Sequence, residues 1–404
     1  MSTRRVTVPP HYEGPTLLVS VTGSDRPGIS ASIFDALRAF SIDVLDVEQA
    51  VLRGQLNLAI LVGLDNPDEE RRIEDAVANV CVHLGLRVMC TPGQGDTPSP
   101  RTGRVIVTML GHPLNPAQVA AVTSTIRAGG GNIDRIRRLS HWPVTTLQLN
   151  VSGATAGELT HALAQVSVEH SVDVAVSAAG LARRGQRLVV MDVDSTLITG
   201  EVIEMLAAHA GARDEVARIT ERAMRGEIDF TESLHARVAT LAGLDAGVLD
   251  RVRNEIQLTP GARTLCRTLT ELGFSVALVS GGFLEIVGPL GEAVGAKYVR
   301  ANRLEIVDGR LTGRVVGPVI DRAAKAAALR EFAASEGLAL ERTVAIGDGA
   351  NDLEMLATAG FGIAFNAKPV VAAQADTAVS VPYLDSVLFL LGISAEDVAE
   401  AGAV

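Results

Sequence analysis

Four short apolar runs in the C-terminal half of the chain constrain its fold more than any other feature. They show almost no alternation of polar with apolar residues, and stretches with helical spacing separate them. Strands of this kind are typical of a parallel sheet that helices cover on both faces. The runs are LVVMD (188–192), FSVALVS (274–280), TVAIGD (343–348) and FGIAF (361–365). We therefore predict a Rossmann-like α/β domain over residues 186–404.

Two insertions interrupt this alternation. Residues 200–258 have purely helical patterning, so they predict a helical cap above the strand ends. Residues 298–317 contain a DG turn between two strand-like runs, which predicts a small hairpin.

The N-terminal half reads as two weak copies of one unit, residues 1–95 and 103–181. Each copy opens with an alternating strand, continues through a proline-containing loop into a helix, and then repeats strand, strand, helix and strand. This order predicts two ferredoxin-like βαββαβ domains. The segment 91–103 is rich in Gly, Pro, Ser and Thr and predicts a linker, and a shorter boundary is expected at 182–187.

Composition excludes several classes of protein. The formal net charge is −11, which argues against nucleic acid as the main partner. The sequence contains no run of about 18 apolar residues, so we expect no membrane span, and we find no signal-peptide pattern at its start. The three cysteines form no CxxC pair, which favours free thiols in a reducing compartment. We expect a cytoplasmic protein without nucleic-acid or membrane partners.

Polar residues follow three of the predicted strands. Asp192 and Asp194 follow the first, Ser280 follows the second, and Asp348 follows a third. Since the carboxyl ends of parallel strands share one edge of a sheet, these residues should lie together. The two neighbouring carboxylates would repel unless a cation lies between them or one is protonated, and Mg²⁺ prefers such hard oxygen ligands. Aspartates that only cap a turn are the alternative.

Phosphate-binding groups are also in reach of that edge. Ser280 and Gly281, in SGGF, offer a hydroxyl and free backbone N–H groups at a helix start. Lys325 is one of only three lysines and lies among alanines on a predicted helix, which favours a buried ammonium that contacts a phosphoryl oxygen. Asn351 and Asp352 could hold water ligands of a metal, orient the substrate, or simply cap a helix.

DVDST, SGGF, Lys325 and GDGAND resemble, in order, the four motifs of the haloacid dehalogenase-like superfamily, and residues from about 186 to 400 resemble its phosphoserine phosphatases. The resemblance implies that Asp192 attacks phosphorus and that Asp194 protonates the departing serine oxygen and later activates water. It implies Mg²⁺ bound by Asp192, the Asp194 backbone carbonyl and Asp348.

The cap carries the residues that this resemblance assigns to the amino-acid part of phosphoserine. Glu201 in GEVIE would pair with the ammonium, Arg237 in ESLHARV would grip the carboxylate, and Met224 in AMRGEIDF falls at a further substrate position. From the residues alone, Glu201 could instead only stabilise a helix start and Arg237 could be a surface cation.

The two N-terminal units resemble ACT domains, small modules that often bind amino acids. The loop GSDRPGI, 23–29, matches their first-loop pattern, and its Gly28 would let a ligand approach the backbone. The second unit has GHPLNP instead, which favours a role in sheet pairing. The resemblance implies a homodimer through these domains and inhibition by an amino acid such as serine.

Two other functions fit the sequence. One is a phosphatase or phosphotransferase that acts on another small phosphate ester, and the other is an amino-acid-sensing regulatory protein with a vestigial catalytic domain. The complete motif set favours a phosphoserine phosphatase of serine biosynthesis over both.

Overall fold

The structure is a computed structural model that describes residues 12–95, 103–141, 143–179, 187–225, 227–400 and 402. The chain divides into two compact units, Met1–Arg101 and Thr102–Val404. Residues 180–186, which cover most of the predicted boundary at 182–187, lie outside the described residues. Among the described helices, none combines the length and apolarity needed to cross a bilayer.

The first unit is a four-stranded antiparallel sheet with two helices, and the predicted βαββαβ order is confirmed. The strand order is β2-β3-β1-β4. Strand β4 continues to Gln94 and therefore includes the first four residues of the segment predicted as linker, because Pro15–Thr22 of β1 pairs along it. The elements are β1 (Pro15–Ser24), α1 (Ile29–Leu37), β2 (Ile42–Leu52), β3 (Gln55–Leu64), α2 (Glu70–Leu84) and β4 (Arg87–Gln94).

The second unit begins with the same arrangement, with strand order β6-β7-β5-β8. Its elements are β5 (Arg104–Gly111), α3 (Pro116–Ala128), β6 (Asn132–Arg138), β7 (Thr145–Ser152), α4 (Ala156–His170) and β8 (Asp173–Ala178).

The first helices of the two copies start differently, which explains their different loops. Helix α1 begins after Gly28, whose φ of 94° lies in the left-handed region that favours glycine. Helix α3 begins after Asn115, and the Asn115 and Gln118 side chains each accept a hydrogen bond from the other's backbone N–H. The GHPLNP loop therefore builds a capping box where GSDRPGI builds a glycine turn.

The rest of the second unit contains a seven-stranded sheet in the order β12-β11-β10-β9-β13-β14-β15. All neighbouring strands are parallel except β11 and β12, which form the predicted hairpin. The predicted Rossmann-like sheet is confirmed. Its strands are β9 (Leu188–Met191), β10 (Ser275–Phe283), β11 (Tyr298–Val307), β12 (Arg310–Val316), β13 (Thr343–Gly347), β14 (Phe361–Phe365) and β15 (Thr377–Val379).

Helices cover this sheet and build the predicted cap between β9 and β10. The cap helices are α5 (Val202–Ala210), α6 (Arg213–Met224), α7 (Phe230–Ala239) and α8 (Val248–Glu255). The remaining helices are α9 (Ala262–Glu271), α10 (Leu284–Val294), α11 (Arg322–Ser335), α12 (Leu353–Thr358), α13 (Pro369–Ala372), α14 (Ser386–Leu390) and α15 (Ala395–Glu400).

Strand β9 shows why the apolar run is continuous. Val189 and Met191 join the core on one face of the sheet, whereas Leu188 and Val190 join the core on the other, and all four are fully buried. Because side chains alternate between the faces, a strand covered on both sides must be apolar at every position.

The second βαββαβ domain packs against the edge of the large sheet. Its Leu110, Val144 and Ala175 belong to the same apolar core as the large domain. Asp173, at the start of β8, accepts hydrogen bonds from the backbone N–H and the hydroxyl of Ser380, which follows β15. The two domains of this unit therefore meet in one apolar cluster, and the βαββαβ domain also has a core of its own.

Candidate active site

The predicted polar residues converge at the carboxyl edge of the large sheet. Asp192 directly follows β9, Ser280 lies near the end of β10, and Asp348 directly follows β13. In the sheet β9 lies between β10 and β13, so the three strand ends are neighbours. This is the convergence that the motif order predicts.

Hydrogen bonds in a tight turn after β9 hold the side chains of Asp192 and Asp194 in place. The Asp192 backbone N–H donates to the Ile346 carbonyl at 3.0 Å, which fixes the turn to β13. The Asp192 Oδ1 accepts a hydrogen bond from the Val193 N–H at 2.7 Å. The Asp194 Oδ1 accepts one from the Val202 N–H at 2.9 Å, at the start of the first cap helix. Asp194 is thereby tied to the cap, while Asp192 stays in the sheet domain.

Lys325 is completely buried and lies between two carboxylates. Its Nζ is 2.8 Å from the Asp192 Oδ2 and 2.7 Å from the Asp352 Oδ1. Burial alone would lower the pKa of Lys325, but the two carboxylates outweigh it and raise the pKa above its usual value. Lys325 lies in α11 beside the buried Ala326 and Ala328.

Three carboxylates form a cluster that could hold a metal ion. Asp192, Asp348 and Asp352 each offer an oxygen within 4.8 Å of the others. Burial, followed by repulsion from Asp352, raises the pKa of Asp348 to about 6, and the same two causes raise the pKa of Asp192 well above its usual range. Such crowded, desolvated carboxylates fit a hard divalent cation, because the cation would relieve their repulsion.

The Ser-Gly-Gly segment approaches the carboxylates closely. The Ser280 Oγ is buried, accepts a hydrogen bond from the Gly282 N–H at 2.8 Å and donates to the Asp194 Oδ2 at 3.3 Å. A Cβ on Gly282 would lie 3.0 Å from the Asp194 Oδ2, and a Cβ on Gly281 would lie 3.2 Å from the Phe230 ring. Side chains at either position would crowd the approach of a phosphate.

Two oppositely charged cap residues lie at the site. Glu201 precedes α5, Arg237 is in α7, and both are half-buried. Burial raises the pKa of Glu201, and repulsion from Asp194 raises it further, whereas attraction to Arg237 lowers it. Burial lowers the pKa of Arg237, while attraction to Glu201 and, to a smaller extent, to Asp194 raises it. A cationic and an anionic side chain of the cap thus interact electrostatically with each other and with Asp194.

The remaining predicted residues have less defined surroundings. Met224 ends α6, but its side chain lies outside the described residues. Asn351 is half-buried in the short 3-10 turn Ala350–Asp352, next to Asp348 in the chain. Asp352 is fully buried, and its Oδ2 accepts the Gly349 N–H at 3.0 Å while its Oδ1 meets Lys325. Gly28 lies in the first unit, and a Cβ added there would meet no atom within 4 Å.

Sequence reasoning missed two polar residues that support the site. The Thr196 Oγ1 donates to the Asp348 Oδ1 at 3.1 Å, although 152 positions separate them. Asn302 donates to the Gly281 carbonyl from the neighbouring strand β11. The threonine of DVDST and a lone asparagine amid strand-like residues were the available signals, but neither indicates its partner.

Family models match three parts of the chain. A haloacid dehalogenase-like hydrolase model matches residues 189–357, and ACT domain models match residues 15–91 and 103–177. Each matched segment covers strands of a different sheet, and the hydrolase match ends before β14 and β15.

Curated relatives match nearly the whole chain. A phosphoserine phosphatase of Streptomyces coelicolor is 56% identical over 387 residues, which cover 96% of this chain and 94% of that protein. The chain belongs to the phosphoserine phosphatase family. A second relative, from Mycobacterium tuberculosis, is 51% identical and covers 96% of both chains.

A solved structure of the same family agrees with the fold. The unliganded crystal structure of a probable phosphoserine phosphatase from Vibrio cholerae is 34% identical, with a TM-score of 0.58. The match covers 74% of this chain and 89% of the other. The matches to the relatives from Streptomyces coelicolor and Mycobacterium tuberculosis thus extend over the catalytic domain and the two ACT domains of this chain.

Proposed function

We propose that this enzyme hydrolyses O-phospho-L-serine to L-serine and phosphate, the last step of serine biosynthesis. The observation that carries the proposal is the buried Lys325 ammonium 2.8 Å from Asp192, with Asp194 and Ser280 hydrogen-bonded beside it. This set combines a nucleophile, an acid and phosphate-binding groups. Family membership supports the choice of phosphoserine as substrate.

In the first step, an Asp192 carboxylate oxygen attacks phosphorus. The new oxygen–phosphorus bond forms as the bond between phosphorus and the serine oxygen breaks. Asp194 donates its proton to the departing oxygen, so serine leaves as a neutral alcohol. Burial raises the pKa of Asp194, which helps it to retain that proton until transfer.

In the second step, water attacks the phosphorus of the aspartyl-phosphate. The Asp194 carboxylate accepts the proton of this water, and the bond between phosphorus and the Asp192 oxygen breaks. Phosphate leaves, and both carboxyl groups return to their starting states. Lys325 and Ser280 hold the phosphoryl oxygens through both steps, because a point charge and a hydroxyl stabilise the charge that develops there.

Mg²⁺ is the proposed cofactor. Its ligands would be Asp192, the Asp194 backbone carbonyl and Asp348, and it would neutralise charge on the transferring phosphoryl group. We assign Asp352 to holding Lys325, whose Nζ lies 2.7 Å from the Asp352 Oδ1, rather than to the metal. With Asn351, Asp352 could orient water ligands or the substrate.

The cap would recognise the amino-acid part of the substrate. Arg237 pairs with the carboxylate of phosphoserine and Glu201 with its ammonium, and Met224 packs against the substrate. Half-buried, opposite charges favour a zwitterion over a simple phosphate ester, since each buried charge gains a partner on binding.

The direct experiment measures phosphate release from L-phosphoserine by the wild type and by Asp192→Asn, with Mg²⁺ or with a chelator. We expect release by the wild type with Mg²⁺, and none by Asp192→Asn or by the wild type with the chelator. Asp308→Asn is the matched control, because Asp308 is exposed in the β11–β12 turn at a φ of 49°, which asparagine also adopts. Wild-type enzyme that releases no phosphate would refute the proposal. Acid quenching should trap labelled phosphate on residue 192.

We also propose that the first ACT domain binds an amino acid, with serine as the first candidate, beside Gly28. The backbone at Gly28 is left-handed, which a residue with a side chain adopts only with strain, and no atom lies within 4 Å of where its Cβ would be. Inhibition by millimolar serine that Gly28→Ala weakens would support this. Unchanged activity at millimolar serine would contradict it.

We propose a homodimer that forms through the ACT domains. Strand β2 is one of the two edge strands of its sheet and carries Val47 and Val51, which are 41% and 47% exposed. Exposed apolar residues on an edge strand favour pairing with another chain. Val51→Lys should shift the mass measured by light scattering toward a monomer. Val370→Lys, at a 60% exposed valine of the catalytic domain, should not.

Finally, we propose the domain limits 1–95, 103–181 and 186–404, with the cap at 200–258, and a cytoplasmic location. All three cysteines are free, which supports a reducing compartment.

A further inference from the structure

A break in strand pairing moves the Ser-Gly-Gly segment out of the sheet. Strands β10 and β11 pair regularly as far as Val279 and Arg300, and pairing resumes at Phe283 and Asn302. Between these two pairs β10 advances by four residues, whereas β11 advances by only two. The two extra residues bulge from the ladder, which turns Ser280 toward the carboxylates.

Asn302 compensates for this bulge. Its Nδ2 donates to the carbonyl of Gly281 at 2.8 Å, and its Oδ1 accepts a hydrogen bond from the Ile320 N–H at 2.8 Å. The side chain is only 2% exposed, and its hydrogen bond with Ile320 is buried while the one with Gly281 is partly buried. A carbonyl and an N–H that would otherwise be buried outside the ladder are thereby paired.

The two partners of Asn302 belong to different parts of the phosphate site. Gly281 is in the bulge that carries Ser280. Ile320 immediately precedes Asp321, whose side chain accepts the Ala324 N–H at 2.8 Å and starts helix α11. Lys325 lies in the first turn of that helix. One amide side chain therefore links the segment of Ser280 to the helix of Lys325.

We propose that Asn302 is a positioning residue for phosphoryl transfer, which holds Ser280 and the Lys325 ammonium at a fixed separation. The inference rests on the proposed phosphatase activity, because it assumes that these two groups bind one phosphoryl group. Groups that bind a transition state must keep their geometry closely, and a misplacement of about 1 Å can cost roughly 10²-fold in rate.

The amide is the group that this position requires. Asparagine presents one donor and one acceptor on the same short side chain. Aspartate would keep an acceptor for the Ile320 N–H but would place an oxygen against the Gly281 carbonyl. Leucine would keep the branching at Cγ with a somewhat larger volume, and it would lose both hydrogen bonds.

The test compares Asn302→Leu and Asn302→Asp with Leu304→Ala in the full-length enzyme. Leu304 is two positions along β11, on the same side of the strand, and is 4% exposed. Its truncation removes core packing without touching Gly281 or Ile320. The readouts are kcat and KM for L-phosphoserine, inhibition constants for inorganic phosphate and for L-serine, and the midpoint of urea unfolding.

We expect both Asn302 variants to lower kcat about 10²-fold and to weaken inhibition by phosphate roughly tenfold, with the L-serine inhibition constant unchanged. Leu304→Ala should lower the urea midpoint at least as far while kcat stays within about twofold. If Asn302→Leu does not fold, the same measurements on Asn302→Asp test the inference.

The inference is overturned if the Asn302 variants lose stability but keep kcat and phosphate inhibition, because Asn302 would then serve the fold alone. A wild type that does not hydrolyse phosphoserine would refute the proposed function instead, so the two failures are distinguishable.

Discussion

Lys325 and Asp352 form an ion pair closed off from solvent: their Nζ and Oδ1 atoms are 2.7 Å apart, and neither side chain is exposed. The pair Lys297–Glu336 has the same separation, 2.7 Å, but the Lys297 side chain is 57% exposed. A buried charge without a partner is costly, whereas an exposed charge without one is solvated by water. The two pairs therefore have equal distances between nitrogen and oxygen, but loss of the buried lysine should destabilise the fold far more than loss of the exposed one.

Lys325→Met should lower the free energy of unfolding of the metal-free enzyme by roughly 3–5 kcal/mol, because Asp192 and Asp352 would remain buried without their cation. Urea unfolding followed by circular dichroism measures this. The matched control, Lys297→Met, should leave the unfolding curve nearly unchanged. Equal effects of the two substitutions would contradict the argument.

Magnesium affinity should fall in acid. The cation binds deprotonated carboxylates, and burial together with Asp352 raises the pKa of Asp348 in the metal-free enzyme to about 6. At pH 5 most Asp348 would be protonated, so the Mg²⁺ dissociation constant should be roughly tenfold above its value at neutral pH. Titration calorimetry at several pH values measures this dependence.

Thr196→Val is the internal check on that prediction. The Thr196 hydroxyl donates to Asp348 and lowers its pKa, so its removal should move the midpoint of the pH dependence upward. A midpoint that stays in place or moves toward acid would show that Asp348 does not control it.

Arg237→Ala should discriminate between substrates. Loss of a charge-assisted pair with the substrate carboxylate should reduce kcat/KM for L-phosphoserine about 10²-fold, whereas an aryl phosphate without a carboxylate should be hydrolysed nearly as before. Arg222→Ala, at a 50% exposed arginine of the same cap, is the control. Equal losses on both substrates would favour the alternative function, a phosphatase for another small ester.

Asp173→Ala should destabilise the second unit by about 1–3 kcal/mol, because the backbone N–H and the hydroxyl of Ser380 would lose their acceptor. The expected result is a lower urea midpoint for the catalytic domain as well as for the ACT domain, since the two meet in one apolar cluster. Asp134→Ala, at an exposed aspartate of the same ACT domain, offers a comparison.

Asp173 should also contribute to the pH dependence of stability. Burial, opposed by the hydrogen bonds from Ser380, raises the pKa of Asp173 in the folded protein. The folded state therefore binds the proton more tightly than the unfolded chain, and stability should decline as pH rises from the unfolded pKa of about 3.9 through the raised folded pKa. Asp173→Asn should make this decline shallower. An unchanged slope would assign the effect to other carboxyls.

The sequence alone was enough to predict the architecture and most of the polar residues that meet at the candidate site. Hydrophobic periodicity is a local property, so continuous apolar runs such as Val189–Met191 identified the buried parallel strands, and alternation identified the two βαββαβ domains. Motif order placed Asp192, Ser280 and Asp348 at one sheet edge, because parallel strands end on the same side.

Only the tertiary structure decided which polar groups partner one another. Thr196 meets Asp348 across 152 positions, Asn302 joins Gly281 to Ile320, and Lys325 lies between two carboxylates rather than at one. These pairings depend on side chains from separate elements that meet in a water-free interior, where each polar group must find a partner. No local pattern encodes that meeting, because periodicity specifies which face a residue lies on but not which residue it faces.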